Sequence, residues 1–150
     1  MGGGTWTTSA YKDYVKTTRG IADVNCITTS SVNQFYNARS IDPALNPNGV
    51  KFRECRDSEE HPNTIPIILG LDVTGSMGSA CAAVARQLDK IITGLYEDVK
   101  DVEFMVMGIG DFAYDHAPRQ VSQFESDVRF CDQHGKIWFE RGGGGNSFES

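Results

Sequence analysis

Two apolar runs separated by an amphipathic stretch lie between Thr64 and Asp111, and they restrict the fold more than any other feature of the chain. The first run, Ile65-Pro-Ile-Ile-Leu-Gly-Leu-Asp-Val73, is almost unbroken in apolar character, which predicts a strand buried on both faces of a mostly parallel sheet. After a glycine-containing turn, Cys81, Val84, Ala85, Leu88, Ile91, Ile92 and Leu95 recur at the spacing of one helix face, with Arg86, Asp89 and Lys90 off that stripe. The second run, Val102-Glu-Phe-Met-Val-Met-Gly-Ile-Gly110, leads directly into Asp111. Strand, helix and strand at this spacing predict a βαβ unit with a right-handed crossover. Such sheets bind ligands beyond the carboxyl ends of their strands. Asp72 and Asp111 are therefore expected on one edge of the sheet.

The chain outside this unit is less patterned. Residues 1–63 are rich in Thr, Ser and Asn and read as a helical and irregular extension packed on a main domain spanning 64–150. Tyr11, Tyr14 and Val15 share a face after Ser9. Val32, Phe35 and Tyr36 share another after Ser31, which forms a capping box with Gln34, so two short helices are expected there. A run of turn formers, Ile41 to Gly49, and a charged segment, Arg53 to Glu60, follow. Downstream, Gln120 to Phe124 alternates like an edge strand, and Asp127 to His134 suits a short helix. Trp138 and Phe139 read as core, His61 as a loop residue, and His116 and His134 as surface or hydrogen-bonded histidines without ligand spacing.

Composition narrows the function. The net charge of -6 and the scattered cations argue against a nucleic-acid surface, which needs clustered Lys and Arg to displace counterions. Cys26, Cys55, Cys81 and Cys131 form no C-x-x-C pair, so no zinc ribbon or thioredoxin-type motif is encoded. Cys81 falls on the helix stripe as a small apolar filler. Disulfides remain open, with a reducing compartment preferred. Trp6 stands where N-myristoylation requires Ser or Thr. No run approaches the about 20 apolar residues of a membrane span, and no leader is evident. A cytoplasmic protein with no membrane partner is expected.

The loop after the first apolar run carries the chemistry. Asp72-Val73-Thr74-Gly75-Ser76 supplies one carboxylate and two hydroxyls at alternate positions, and alternate residues of an extended stretch point the same way. A hard cation such as Mg²⁺ takes oxygen ligands and retains several waters, so a small set of this kind suffices.

This loop resembles the metal-ion-dependent adhesion site (MIDAS) of von Willebrand factor type A (VWA) domains, whose signature is Asp-x-Ser-x-Ser at the end of the first strand. Here Thr74 takes the place of the middle Ser and retains the ligand oxygen. The flanking strand, the following Met77 and the amphipathic helix agree with the family pattern over residues 64–150. The resemblance implies a three-layer α/β fold with a central, mainly parallel, Rossmann-like sheet, whose second half would lie beyond Ser150. It further implies Mg²⁺, with Mn²⁺ or Ca²⁺ as substitutes, held by Asp72, Thr74 and Ser76. In the family a second loop adds a Thr and a third loop an Asp. The segment Gly142-Gly-Gly-Gly-Asn146-Ser147 is similar to the second loop, with Asn146 at the Thr position and Ser147 beside it. Asp111 or Asp115 would have to compensate for the third-loop acid. Either the chain is a fragment of a longer protein or its site is reduced. Gly110-Asp111, Tyr114-Asp115 and the segment Pro118 to Asp127 are similar to intracellular microbial and phage relatives. Those relatives often work beside ATPases or in large assemblies.

The resulting expectation is a metal-dependent protein-binding module, in which an acidic side chain of a protein partner, an ATPase among the candidates, completes the coordination shell. Two alternatives stand beside it. Asp72 and Ser76 can simply cap the next helix in a scaffold with a degenerate site. Thr74-Gly-Ser76-Met-Gly78 also differs in one residue from the nucleophile elbow of serine hydrolases, with His116, His134 and Asp111 as conceivable partners of Ser76. That reading gives no reason for the acid at 72. Asp-x-Asp phosphatase, P-loop and dinucleotide motifs are absent.

Overall fold

The computed structural model of the protein describes residues 4–75 and 78–140. The first helix, α1 (Thr8–Arg19), begins earlier than Ser9 suggested, because Thr7 is extended and its side chain accepts the N–H of Ala10. It closes on Gly20, whose φ of 68° is the left-handed turn that glycine adopts without strain. Tyr11 and Val15 are buried, as their spacing required. The second expected helix is reduced to a single 3₁₀ turn, Val32–Gln34. The capping box does not form, since the Ser31 hydroxyl instead accepts the N–H of Thr28 at 2.9 Å. The apolar face survives without the helix: Val32, Phe35 and Tyr36 are all buried.

The central unit comprises β1 (Ile65–Asp72), α2 (Gly78–Asp98) and β2 (Val102–Ile109). β1 and β2 pair in parallel, from Ile65 opposite Val102 to Asp72 opposite Ile109. A short third strand, β3 (Arg119–Val121), runs antiparallel to β2 with Met107 opposite Val121, and the sheet order is β1-β2-β3. It occupies only the start of the alternating segment. An isolated bridge between Phe104 and Glu125 continues the contact. The last helix, α3 (Arg129–Gly135), follows. The protein is thus mixed α/β.

Side-chain alternation sorts the two faces of the sheet. Val102, Phe104 and Val106 point into the core, where the Phe104 ring meets Tyr96 of α2 and Phe130 of α3 at 5.7 and 5.6 Å. On the opposite face Met105 and Met107 lie beneath Pro47, Val50 and Phe52. Buried Glu103 accepts the N–H of Arg56 there at 3.3 Å. The expectation for β1 needs correction. Ile65 and Ile68 are 50% and 51% exposed: Ile65 stands at the start of the strand, and the described residues leave Ile68 half uncovered on the outer face. Ile67, Leu69 and Leu71 still lean on the core from its inner face.

The helix stripe also shifts. Cys81, Ala82, Ala85, Leu88 and Ile92 are buried, whereas Ile91 turns outward. The extension shares this core: Trp6, Tyr11, Val15, Phe35 and Leu45 join the α2 and β2 side chains in one cluster. Each fully buried aromatic or aliphatic side chain contributes about 1.5–3 kcal/mol. The polar side of α2 fastens the extension. Asp89 Oδ1 accepts the Trp6 indole N–H at 2.9 Å and the Thr8 hydroxyl at 3.1 Å. Arg86 donates to the carbonyl of Ile27 at 2.5 Å. His61 lies in a loop, as expected, and is buried there with Nε2 at 2.9 Å from the Gly4 carbonyl. All four cysteines are free thiols. No helix among the described residues is long and apolar enough to cross a membrane.

Candidate metal centre

Asp72 ends β1, and the ladder carries one residue further through the N–H of Val73, which donates to Ile109 O at 3.0 Å. This bond anchors the base of the loop. Val73 is itself buried, and its methyls fit over Gly108 and Gly110. A Cβ at either glycine would sit 3.2 Å from a Val73 methyl, so the bare backbone is what admits this close approach.

Beyond Val73 the chain turns back on Asp72. Oδ1 of Asp72 accepts both the Thr74 N–H at 2.9 Å and the Thr74 hydroxyl at 2.6 Å. Thr74 is buried and Asp72 half-buried. A threonine hydroxyl has one proton and two lone pairs. Its proton is committed to Asp72, so its lone pairs remain able to face a hard cation. A carboxylate and a hydroxyl held 2.6 Å apart therefore fit part of the oxygen shell such a cation requires. The same two bonds are also what a strand-ending turn makes without a metal.

Asp111 leaves the same edge of the sheet one strand away, since Ile109 is the register partner of Asp72. Its carboxylate folds onto its own turn: Oδ1 accepts the Ala113 N–H at 2.7 Å, while Asp115 Oδ2 accepts the Asp111 N–H at 2.7 Å. The structure thus brings Asp72 and Thr74 together and sets Asp111 on the adjoining strand exit. Ser76, Asn146 and Ser147 lie outside the described residues. Among the described residues, no three His, Cys, Asp or Glu side chains gather to hold a metal.

The histidines occupy other surroundings. His134 is fully buried among Phe35, Tyr36 and Phe130, with ring centroids 5.3–5.9 Å away. Burial, reinforced by the nearby Arg19 guanidinium, pushes its pKa down to about 3, so the ring is neutral and unsuited to proton transfer near neutrality. His116 is exposed, and its Nδ1 lies 2.9 Å from Glu140 Oε2. Burial alone would raise the Glu140 pKa, but hydrogen bonds from the N–H groups of His116 and Ala117 and from the His116 ring hold it below the usual glutamate range. Among the described residues neither histidine bonds to Asp111.

One feature of the site has no counterpart in the sequence patterns. Thr74, Gly75 and Gly78 open onto a cavity of about 590 Å³ whose far wall is built by the extension. Thr29, Tyr36, Asn37 and Arg39 come from that wall, and Phe139 closes one side. The extension is pressed close at this point, since a Cβ on Gly78 would lie 3.4 Å from the Thr29 methyl. The periodic face of Val32, Phe35 and Tyr36 marks residues that pack, but it does not reveal that this segment lies against the Thr74 loop. Trp138 and Phe139 are only half-buried, and Ile137 is the fully buried member of that segment.

No family model matches the chain, and no curated protein or solved structure matches it either.

Proposed function

We propose that the protein is a metal-dependent protein-binding module of the VWA type, acting through a MIDAS-like loop. The observation that carries this reading is the Asp72–Thr74 pair at the carboxyl end of a parallel βαβ strand, with its hydroxyl and carboxylate 2.6 Å apart. Asp72, Thr74 and Ser76 would hold Mg²⁺, with Asn146, Ser147 and Asp111 as further candidates for its surroundings. A hard cation so held keeps coordination positions that water or a carboxylate can fill. The partner is accordingly a protein presenting Asp or Glu, an ATPase among the candidates, within a larger intracellular assembly. A three-layer sheet completed on the open side of β1 and a cytoplasmic setting belong to the same proposal.

The doubly bonded Asp72 carboxylate favours one rival, a scaffold whose loop is only a structural turn. Calorimetric titration with Mg²⁺ separates the two. The proposal expects one saturable site in the wild type that Asp72→Ala abolishes, and the scaffold expects no binding in either protein. A metal-independent esterase activity lost in Ser76→Ala would instead support the hydrolase reading.

A further inference from the structure

We propose that the cavity beside the Thr74 loop is a binding site for a small organic anion, with one phosphate or carboxylate group on a ring-sized apolar body. Its volume of about 590 Å³ lies within the range of small-molecule sites. The lining divides by chemistry. Val32, Tyr36, Cys81 and Phe139 form an apolar wall, and the Tyr36 and Phe139 rings meet edge to face with centroids 4.7 Å apart. Thr29, Ser30, Asn33 and Asn37 supply hydroxyl and amide groups.

Charge selects the ligand class. Arg39 is the sole charged side chain among the described lining residues, and no Asp or Glu is among them, in a chain whose net charge is -6. Arg39 is exposed and makes no ion pair or hydrogen bond among the described residues. A planar guanidinium offers a donor fork that matches phosphate or carboxylate oxygens. The positive end of the long helix α2, which starts at Gly78 on the cavity wall, adds to the same field. The extension is held in place to form the site by the Arg86 bond to Ile27 O and by the Arg19 bond to Asn37 Oδ1 at 2.9 Å.

Among the described residues the site shares Thr74 alone with the proposed cation site, and it requires no metal. The test is a calorimetric titration in the presence of EDTA with 2-naphthyl phosphate and 2-naphthoate, using 2-naphthol as the uncharged control. At least one anion is expected to bind saturably with one-to-one stoichiometry, and 2-naphthol at least tenfold more weakly. Preference between the two anions identifies the group Arg39 receives. Arg39→Gln, which removes the charge, and Ala38→Trp, which puts a bulky ring at another lining position, should each weaken binding at least tenfold in proteins whose circular dichroism matches the wild type. Absence of saturable binding by both anions, equal binding of 2-naphthol, or wild-type affinity in either Arg39→Gln or Ala38→Trp would overturn the assignment.

Discussion

Acidification from pH 7 to pH 5 should cost the fold about 2 kcal/mol through His134 alone. The ring is fully buried, and burial with the Arg19 charge lowers its pKa from 6.5 to about 3. Below pH 6.5 the unfolded chain takes up a proton that the folded chain refuses, so the unfolded state gains stability as pH falls. The contribution is complete above the unfolded value and is lost progressively between about 6.5 and 3. At pH 5 the unfolded side chain lies 1.5 pH units below its pKa, which at about 1.4 kcal/mol per unit gives the stated 2 kcal/mol. The full window would amount to about 5 kcal/mol. His134→Leu keeps an apolar side chain of similar size among Phe35, Tyr36 and Phe130 and removes the titration. Urea unfolding at both pH values, with equal m-values, should show the variant losing about 2 kcal/mol less than the wild type. Parallel losses in the two proteins would refute the argument, because the carboxylates common to both would then account for all of the pH dependence.

Two further outcomes test the packing. Tyr11→Phe removes the buried hydrogen bond from the Tyr11 hydroxyl to Ala85 O at 3.2 Å. Thermal or urea unfolding should report a loss of about 1 kcal/mol, whereas a loss above about 3 kcal/mol would mean that the ring itself had moved. In the native protein at pH 8, Ellman's reagent should label Cys26 first, because it is exposed. Cys55 should react slowly, since burial and the nearby Glu103 push its pKa up to about 12, and Cys81 and Cys131, both buried, should react only after urea is added.

The βαβ unit was legible because its signal is local: two apolar runs and a stripe at helical spacing each specify an element without reference to neighbours. Which strand lies beside which is a different kind of information. The apolar run at 65–73 reads as a strand enclosed on both faces, yet Ile68 on the outer face is half-exposed, and one flank of β1 has no paired strand among the described residues. Similarly, Arg86 and Asp89 were correctly placed off the apolar stripe, but nothing in their spacing told that they would grip Ile27 and Trp6. The Ser31-to-Gln34 capping pattern failed because tertiary burial of Phe35 and Tyr36 and a local Thr28–Ser31 bond outweighed a weak helix signal. Lone residues were the least readable. His61 and His134 carry no pattern, and only the assembled core shows that both are buried. Of the candidate site, Asp72 and Thr74 could be read from the motif, whereas the cavity depends on contacts between segments some 35 to 110 residues apart.

Manganese uptake tests the central claim most directly, because free Mn²⁺ gives a paramagnetic resonance signal that disappears on binding. The account predicts that the wild-type protein removes one equivalent of Mn²⁺, that Mg²⁺ restores the free signal, and that Asp72→Ala leaves the Mn²⁺ free throughout. Undiminished uptake by Asp72→Ala, or no uptake by the folded wild type, would contradict it.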